Sequence, residues 1–253
     1  MLTTIQLERS GTRATIILAA PAGRPPTLDP DNLGELERII GELRAAPPRT
    51  VVVRSNQPKY FCVGANVRVL ETINEATIEA WVRLGHRVFN QLEDLPCPVI
   101  ARMTGHAIGG GLELAMSCDL IVAADDARLA QSEAGLGFIP GWGGTFRLVE
   151  RVGAAQAKRM FFTGAGLDAR AASAAGLVDQ VVAPDAIDAA VEELLVAVEK
   201  NNPAALASFK HIVSAERTAS RERCAALEAE ASLACVRDPD AKERLRRFLT
   251  RRN

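Results

Sequence analysis

Two glutamates are the strongest candidates for chemistry in this chain of 253 residues. Glu113 and Glu133 lie twenty positions apart, and each is next to a glycine-rich stretch with apolar neighbours. A carboxylate in such surroundings is a candidate for proton transfer, and glycine amides beside it are candidates for holding an oxyanion.

Two glycine loops supply the candidate amides. Gly109, Gly110 and Gly111 open a predicted helix, whose first turn presents unpaired N–H groups and contains Glu113. Residues 61–66 form a second strand-to-helix loop. Because ligands collect at the carboxyl ends of strands in doubly wound sheets, the two loops can face one pocket and supply one amide each. Taken alone, the first loop is also typical of tight packing, and the second of an ordinary connection.

A third loop follows Glu133. Residues 135–145 contain five glycines and one proline, a composition that predicts an irregular loop leading into a helix at Thr145. Burial of Glu133 beside Leu136, Phe138 and Trp142 would raise its pKa and suit it to donate or accept a proton. The alternative is an exposed glutamate on a turn.

Strands that alternate with helices must position these loops. Apolar β-branched runs predict strands at 4–8, 14–18, 50–54, 98–102 and 120–124. Helical spacing predicts helices at 33–43, after Asp29 as N-cap and Pro30 as first residue, and from Ile78 to Phe89. This alternation favours an α/β fold with a parallel sheet and outer helices. After about Ala154 helical patterns dominate, so we expect a core of roughly 190 residues with a helical C-terminal segment.

Composition narrows the function classes. Thirty Lys and Arg against 31 Asp and Glu leave a net charge of −1, which gives no argument for a nucleic acid or an anionic membrane as partner. We also expect no membrane span and no signal peptide. The odd number of widely spaced cysteines predicts reduced thiols in a cytoplasmic protein, and the scattered histidines indicate no metal site.

The combined motifs resemble the crotonase superfamily, also called the enoyl-CoA hydratase/isomerase family. The resemblance covers nearly the whole chain, and four segments carry it: residues 61–65, 105–119, 131–145 and 163–182. It implies a crotonase-type spiral of ββα units in residues 1–192. It further implies that residues 193–253 form a helical segment used in trimerisation, with two trimers stacking into a hexamer.

The resemblance also assigns roles to individual residues. The amides of Ala65 and Gly110 match the pair that holds a thioester oxygen as it becomes an enolate. Glu113 and Glu133 match the two acids that hydratases place around one water, and the Gly141 backbone is predicted to position that water. Substrate-binding candidates complete the prediction, and they are Arg24, Leu28, Val63, Trp142 and Lys210. Arg24, and Lys210 from a neighbouring subunit, are candidates for contacting a ligand phosphate, and the alternative for each is a solvated surface position. Trp142 stands where a small residue is frequent, so we expect it to reshape the pocket near the reacting carbons.

The resemblance leaves more than one activity open. Retention of both glutamates favours hydration of 2-enoyl-CoA thioesters, with coenzyme A as part of the substrate and no cofactor. The alternatives are another thioester enzyme of the superfamily (an isomerase, dehydratase or decarboxylase, on coenzyme A or acyl carrier protein) and a non-enzymatic scaffold or RNA-binding protein. A basic patch, with Glu113 and Glu133 facing away from any pocket, would favour the last of these.

Overall fold

The chain begins with a β-hairpin in the computed structural model, which describes residues 3–216, 221–241, 243 and 244. Strands β1 (Thr4–Ser10) and β2 (Arg13–Ala19) are antiparallel, and Gly11 adopts a positive φ of 58° in the turn between them. The predicted pairing around this glycine is confirmed.

A six-stranded sheet extends from this hairpin. Its order is β1-β2-β3-β5-β7-β10, and from β2 onward neighbouring strands run parallel. The added strands are β3 (Thr50–Ser55), β5 (Val99–Met103), β7 (Leu120–Ala124) and β10 (Gln180–Val182). The valines of β3 are buried because both faces of the sheet are covered. The strands predicted at 50–54, 98–102 and 120–124 are confirmed.

Short strands form a second sheet in the order β4-β6-β8-β9. They are β4 (Tyr60–Cys62), β6 (His106–Ile108), β8 (Arg128–Ala130) and β9 (Leu167–Asp168). The patterns of single segments did not predict this sheet, because two or three residues are too few to establish an alternating pattern. The glycine loops at 64 and 109 begin directly after β4 and β6, so this sheet holds them side by side.

Helices cover the sheets and lead into the site. The N-terminal helices are α1 (Pro30–Ala45), α2 (Val67–Leu70), α3 (Ile78–Glu93) and α4 (Gly110–Met116). They are followed by α5 (Gly144–Thr163), which breaks at Gly153, and by α6 (Ala169–Ala174). The predicted cap of α1 is confirmed, since Asp29 and Asn32 exchange side-chain and backbone hydrogen bonds at 3.0 Å.

The C-terminal part is largely helical. Helix α7 (Ile187–Glu199) packs on the outer face of the six-stranded sheet through a cluster that includes Ile187, Val191 and Leu195. Residues 192 and 193, between which the sequence predicts the division, both lie inside this helix, and the division itself stays a prediction. The helices that follow are α8 (Pro203–Glu216) and α9 (Arg221–Arg237), which pack on each other. Strands β9 and β10 interrupt the predicted helical run after Ala154.

The described residues contain no helix that is both long enough and apolar enough to cross a membrane. The same part of the chain contains no group of three or more His, Cys, Asp or Glu side chains that would suit a metal ion. Cys62, Cys97 and Cys118 are buried free thiols.

Candidate active site

Glu113 is held by two backbone amides. It lies in the first turn of α4, as the sequence predicts, and only 2% of its surface is exposed. Its Oε1 accepts hydrogen bonds of 2.7 Å from the amides of Trp142 and Gly144. The backbone at the start of α5 therefore fixes one carboxylate oxygen, and the other oxygen accepts no hydrogen bond within the described residues.

Burial raises the pKa of Glu113 to about 7. The two amide hydrogen bonds and the charge of Arg147 oppose this change, whereas the charge of Glu133 adds to it. A carboxyl group with this pKa exchanges its proton readily near neutral pH, which is the property required of an acid–base catalyst.

Glu133 begins a short 3-10 turn, Glu133–Leu136, after β8. Its Oε1 accepts a hydrogen bond of 3.0 Å from Nε2 of Gln131, whereas its buried Oε2 has no partner among the described residues. Burial raises the pKa of this carboxyl group as well, despite that hydrogen bond. The pKa of Glu133 is thus shifted in the same direction as the pKa of Glu113.

Both glutamates line one cleft of about 120 Å³. Val63, Ala65, Gly110, Gly141 and Trp142, all predicted site residues, line the same cleft. The apolar neighbours expected to bury Glu133 only partly do so, because Leu136 is 62% exposed and Phe138 is 40% exposed at the rim. The cleft is therefore open at an apolar rim and closed around the carboxylates.

The two glycine loops touch beside this cleft. A Cβ on Gly64, which has a φ of 86°, would lie 2.8 Å from the amide nitrogen of Gly110. Only glycine permits both this conformation and this approach. Within the described part of the chain, the amides of Ala65 and Gly110 donate no hydrogen bond. Two unused N–H donors therefore line the cleft that also contains both acids.

Comparison with known proteins shows the family of this chain. The family model for enoyl-CoA hydratase/isomerase matches residues 15–253. The chain belongs to the enoyl-CoA hydratase/isomerase family. It is 33% identical over 252 residues to the short-chain-enoyl-CoA hydratase of Clostridium acetobutylicum, with 99% of this chain and 96% of that protein covered. It is 32% identical to the crotonyl-CoA hydratase of Syntrophomonas wolfei, with 98% and 95% covered.

The crotonase-type fold is confirmed by solved structures of this family. The crystal structure of an enoyl-CoA hydratase from Bacillus anthracis matches with a TM-score of 0.91 at 29% identity, covering 98% of this chain and 96% of that chain. The resemblance to this family identified from the sequence motifs is therefore confirmed as well.

Three of the predicted substrate-binding residues lie outside the cleft that contains both glutamates. Arg24 lines a neighbouring cleft with Asn66 and Arg68. Leu28 is fully buried and pairs through a β-bridge with Ala65, so it supports the loop rather than lining the cleft. Lys210 binds Asp119 at 2.7 Å and the carbonyl of Cys97 at 2.9 Å, so within one chain its ammonium group attaches α8 to the core.

Arg147 contributes to this site without having been predicted from the sequence. Its buried guanidinium donates to the Trp142 carbonyl at 2.9 Å, to Asn90 at 2.6 Å and to Glu93 at 2.7 Å. It thereby fixes the carbonyl side of the peptide segment whose amides hold Glu113. The only sequence signal is an arginine within the apolar-flanked start of α5, which does not reveal its partners.

Proposed function

We propose that this protein hydrates 2-enoyl-CoA thioesters to 3-hydroxyacyl-CoA thioesters. The observation that carries the proposal is the combination, on one cleft, of two carboxyl groups with raised pKa values and two amides that donate no hydrogen bond within the described part of the chain. The names of the two relatives, a short-chain-enoyl-CoA hydratase and a crotonyl-CoA hydratase, support the same reaction.

The amides of Ala65 and Gly110 bind the thioester carbonyl oxygen in this mechanism. When water adds to carbon 3, negative charge moves through carbon 2 onto that oxygen. Donors fixed beforehand stabilise this charge with little reorganisation, and the loss of one such donor typically costs about 10²–10³ in rate. The contact between the Gly64 and Gly110 loops keeps the two amides close together.

The glutamates divide the proton transfers between them. Glu113 accepts a proton from the water as its oxygen bonds to carbon 3, and Glu133 delivers a proton to carbon 2. The reaction thus adds one water in total, and the two acids exchange roles in dehydration. Hydration requires Glu113 ionised and Glu133 protonated. A pKa of about 7 leaves Glu113 partly ionised at neutral pH, and the raised pKa of Glu133 favours its protonated form. Because the acids interact, their titration belongs to the pair.

Other residues position the reactants. The Gly141 backbone lines the cleft and is proposed to orient the water. Arg24 and Arg68 line the cleft beyond Asn66, which directly follows Ala65, so their charges suit the phosphates of coenzyme A. The reaction as written uses no metal or redox group, and coenzyme A remains unchanged as the handle of the substrate.

Assembly into a homotrimer or homohexamer is part of the proposal. Phe209, Val213 and Leu233 are exposed apolar residues on α8 and α9, and Phe209 is 71% exposed. Apolar side chains exposed in one chain are typical of a surface covered in an oligomer. A phosphate contact by Lys210 from a neighbouring subunit, and a cytoplasmic location, stay predictions.

The test is direct hydration of crotonyl-CoA by the purified protein. We expect loss of the conjugated thioester absorbance, with mass spectrometry showing a product heavier by one water. If neither crotonyl-CoA nor longer and aromatic enoyl-CoAs are hydrated by the folded protein, the proposal is wrong. Offering a 3-enoyl-CoA and the corresponding acyl-carrier-protein thioester then separates the isomerase and carrier alternatives. Since both glutamates line a cleft, the arrangement expected of a non-enzymatic member is absent from the described residues.

A further inference from the structure

The indole of Trp142 forms the inner wall of the cleft. It is 3% exposed and lines the cleft together with Glu113 and Gly110, whereas Leu136 and Ile139, which line the same cleft, are 62% and 70% exposed. The group attached to carbon 3 of a bound substrate must lie next to Glu113, so this group meets the indole.

Two glycines create the space that the indole fills. A Cβ on Gly85 of α3 would lie 2.0 Å from Cδ1 of Trp142, and a Cβ on Gly110 would lie 2.4 Å from its Cζ3. Real side chains at either position would overlap the ring. The indole is therefore fitted between α3 and α4 with no free space at these two edges.

Aromatic neighbours hold the same ring from the α3 side. Trp81 and Phe89 contact Trp142 edge to face, with ring centroids 4.9 Å and 5.7 Å away. Such edge-to-face pairs are favourable contacts, and close packing prevents the ring from moving aside without a rearrangement of α3. The wall is rigid, so it excludes larger acyl groups instead of moving to accommodate them.

The backbone and the side chain of Trp142 have separate roles. The amide donates to Glu113 and the carbonyl accepts from Arg147, and both contacts are independent of the side chain. A substitution can therefore remove the wall and retain the hydrogen bonds that hold the catalytic carboxylate.

We propose that the indole of Trp142 determines acyl-length specificity and restricts the enzyme to short 2-enoyl thioesters such as the four-carbon one. This inference rests on the proposed function, since it assigns the substrate class of that site. A hydrophobic pocket discriminates between substrates that differ by one methylene by about 10–200-fold. A rigid wall gives this discrimination by excluding the longer acyl chain.

The experiment compares four-carbon and eight-carbon 2-enoyl-CoA substrates. For the wild type, we expect kcat/KM to favour the four-carbon substrate by at least about tenfold, the low end of the discrimination for one methylene. In Trp142→Ala, we expect the ratio to fall by at least about tenfold. The rate with the four-carbon substrate should change less than this ratio, because the contacts of Glu113 are made by the backbone. Trp142→Phe keeps part of the wall and should give an intermediate ratio.

Two results would overturn the inference. One is a wild-type preference for the eight-carbon substrate, and the other is an unchanged ratio in a folded variant. Trp142→Phe decides the question if Trp142→Ala does not fold. Phe162→Ala removes an exposed aromatic side chain outside this cleft and serves as the control, with no change in the ratio expected.

Binding of saturated thioesters separates this inference from the proposed function. Butyryl-CoA and octanoyl-CoA cannot be hydrated, so their dissociation constants measure how the indole of Trp142 affects binding in the absence of turnover. If the wild type hydrates nothing but binds butyryl-CoA in preference, and Trp142→Phe or Trp142→Ala reduces that preference, the proposed function fails and the specificity role stands. If neither thioester binds, both fail.

Discussion

Glu113→Gln is predicted to stabilise the protein above neutral pH while it abolishes the proton transfer. Burial raises the pKa of Glu113 from the ordinary 4.5 to about 7. Between these pH values the folded protein binds a proton that the unfolded chain has released. The free energy of unfolding of the wild type therefore falls as pH rises through this window, and the stability is fully present only below about 4.5.

The magnitude follows from the displacement of the pKa. A change of one in pKa corresponds to about 1.36 kcal/mol, so the displacement from 4.5 to about 7 corresponds to about 3 kcal/mol. Glutamine retains an oxygen that can accept from the amides of Trp142 and Gly144 but carries no charge to desolvate. The stability difference, variant minus wild type, should thus rise by about 3 kcal/mol between pH 4.5 and pH 8.

Urea unfolding of both proteins at the two pH values measures this double difference. Protein concentration must be held constant, because the proposed assembly would make the stability depend on it. Any constant effect of the substitution cancels in the comparison of the two pH values. Glu193→Gln, at an exposed position on α7, is the control and should show no such rise. A double difference near zero, or a decrease at pH 8, would refute the account of Glu113 as a buried acid whose ionisation is costly.

Three further predictions concern rate and stability. The kcat/KM for crotonyl-CoA hydration should fall as pH drops through about 7, because Glu113 must be ionised to accept a proton; a rate independent of pH between 5 and 8 would contradict this. Gly64→Ala should lower kcat by about 10²-fold, because the added Cβ would displace the Gly110 amide. A stopped-flow or steady-state rate within threefold of wild type would be inconsistent with this prediction. Arg147→Met should reduce the free energy of unfolding by about 3–5 kcal/mol, because it removes the guanidinium that pairs with Glu93 in the interior; a loss below about 1 kcal/mol in urea unfolding would argue against this.

Long elements of the fold were predictable from the sequence. The β1–β2 hairpin, α1 with its cap, and α3 with its buried face span enough residues for their periodicity to be unambiguous. The second sheet was not predictable from its own residues, since its short strands form only by pairing with strands from distant parts of the chain. The packing of α7 against the sheet was not predictable either, because its partners in β3, β5 and β7 are distant in the sequence.

The site divides in a similar way. Motifs indicated both glutamates, and the family resemblance indicated the amides of Ala65 and Gly110; the structure brings all four residues to one cleft. The motifs could not locate Glu93 and Asn90, the side-chain partners of Arg147, which are 54 and 57 positions away in the sequence. Nor could the motifs show that Lys210 pairs with Asp119 or that Leu28 pairs with Ala65 through a β-bridge. The charge or hydrophobicity of a residue does not specify which residue it contacts in the fold.

The central claim is that Glu113 and Glu133 act on one water in one reaction, and a double-variant cycle tests it most directly. We would measure kcat for crotonyl-CoA hydration by the wild type, Glu113→Gln, Glu133→Gln and the double variant. Each single variant should lose about 10²–10⁴ in rate, and the double variant should be little slower than the slower single one, because the acids act as a unit. Single losses within tenfold, or a double loss equal to the product of the two single losses, would contradict the shared-water mechanism.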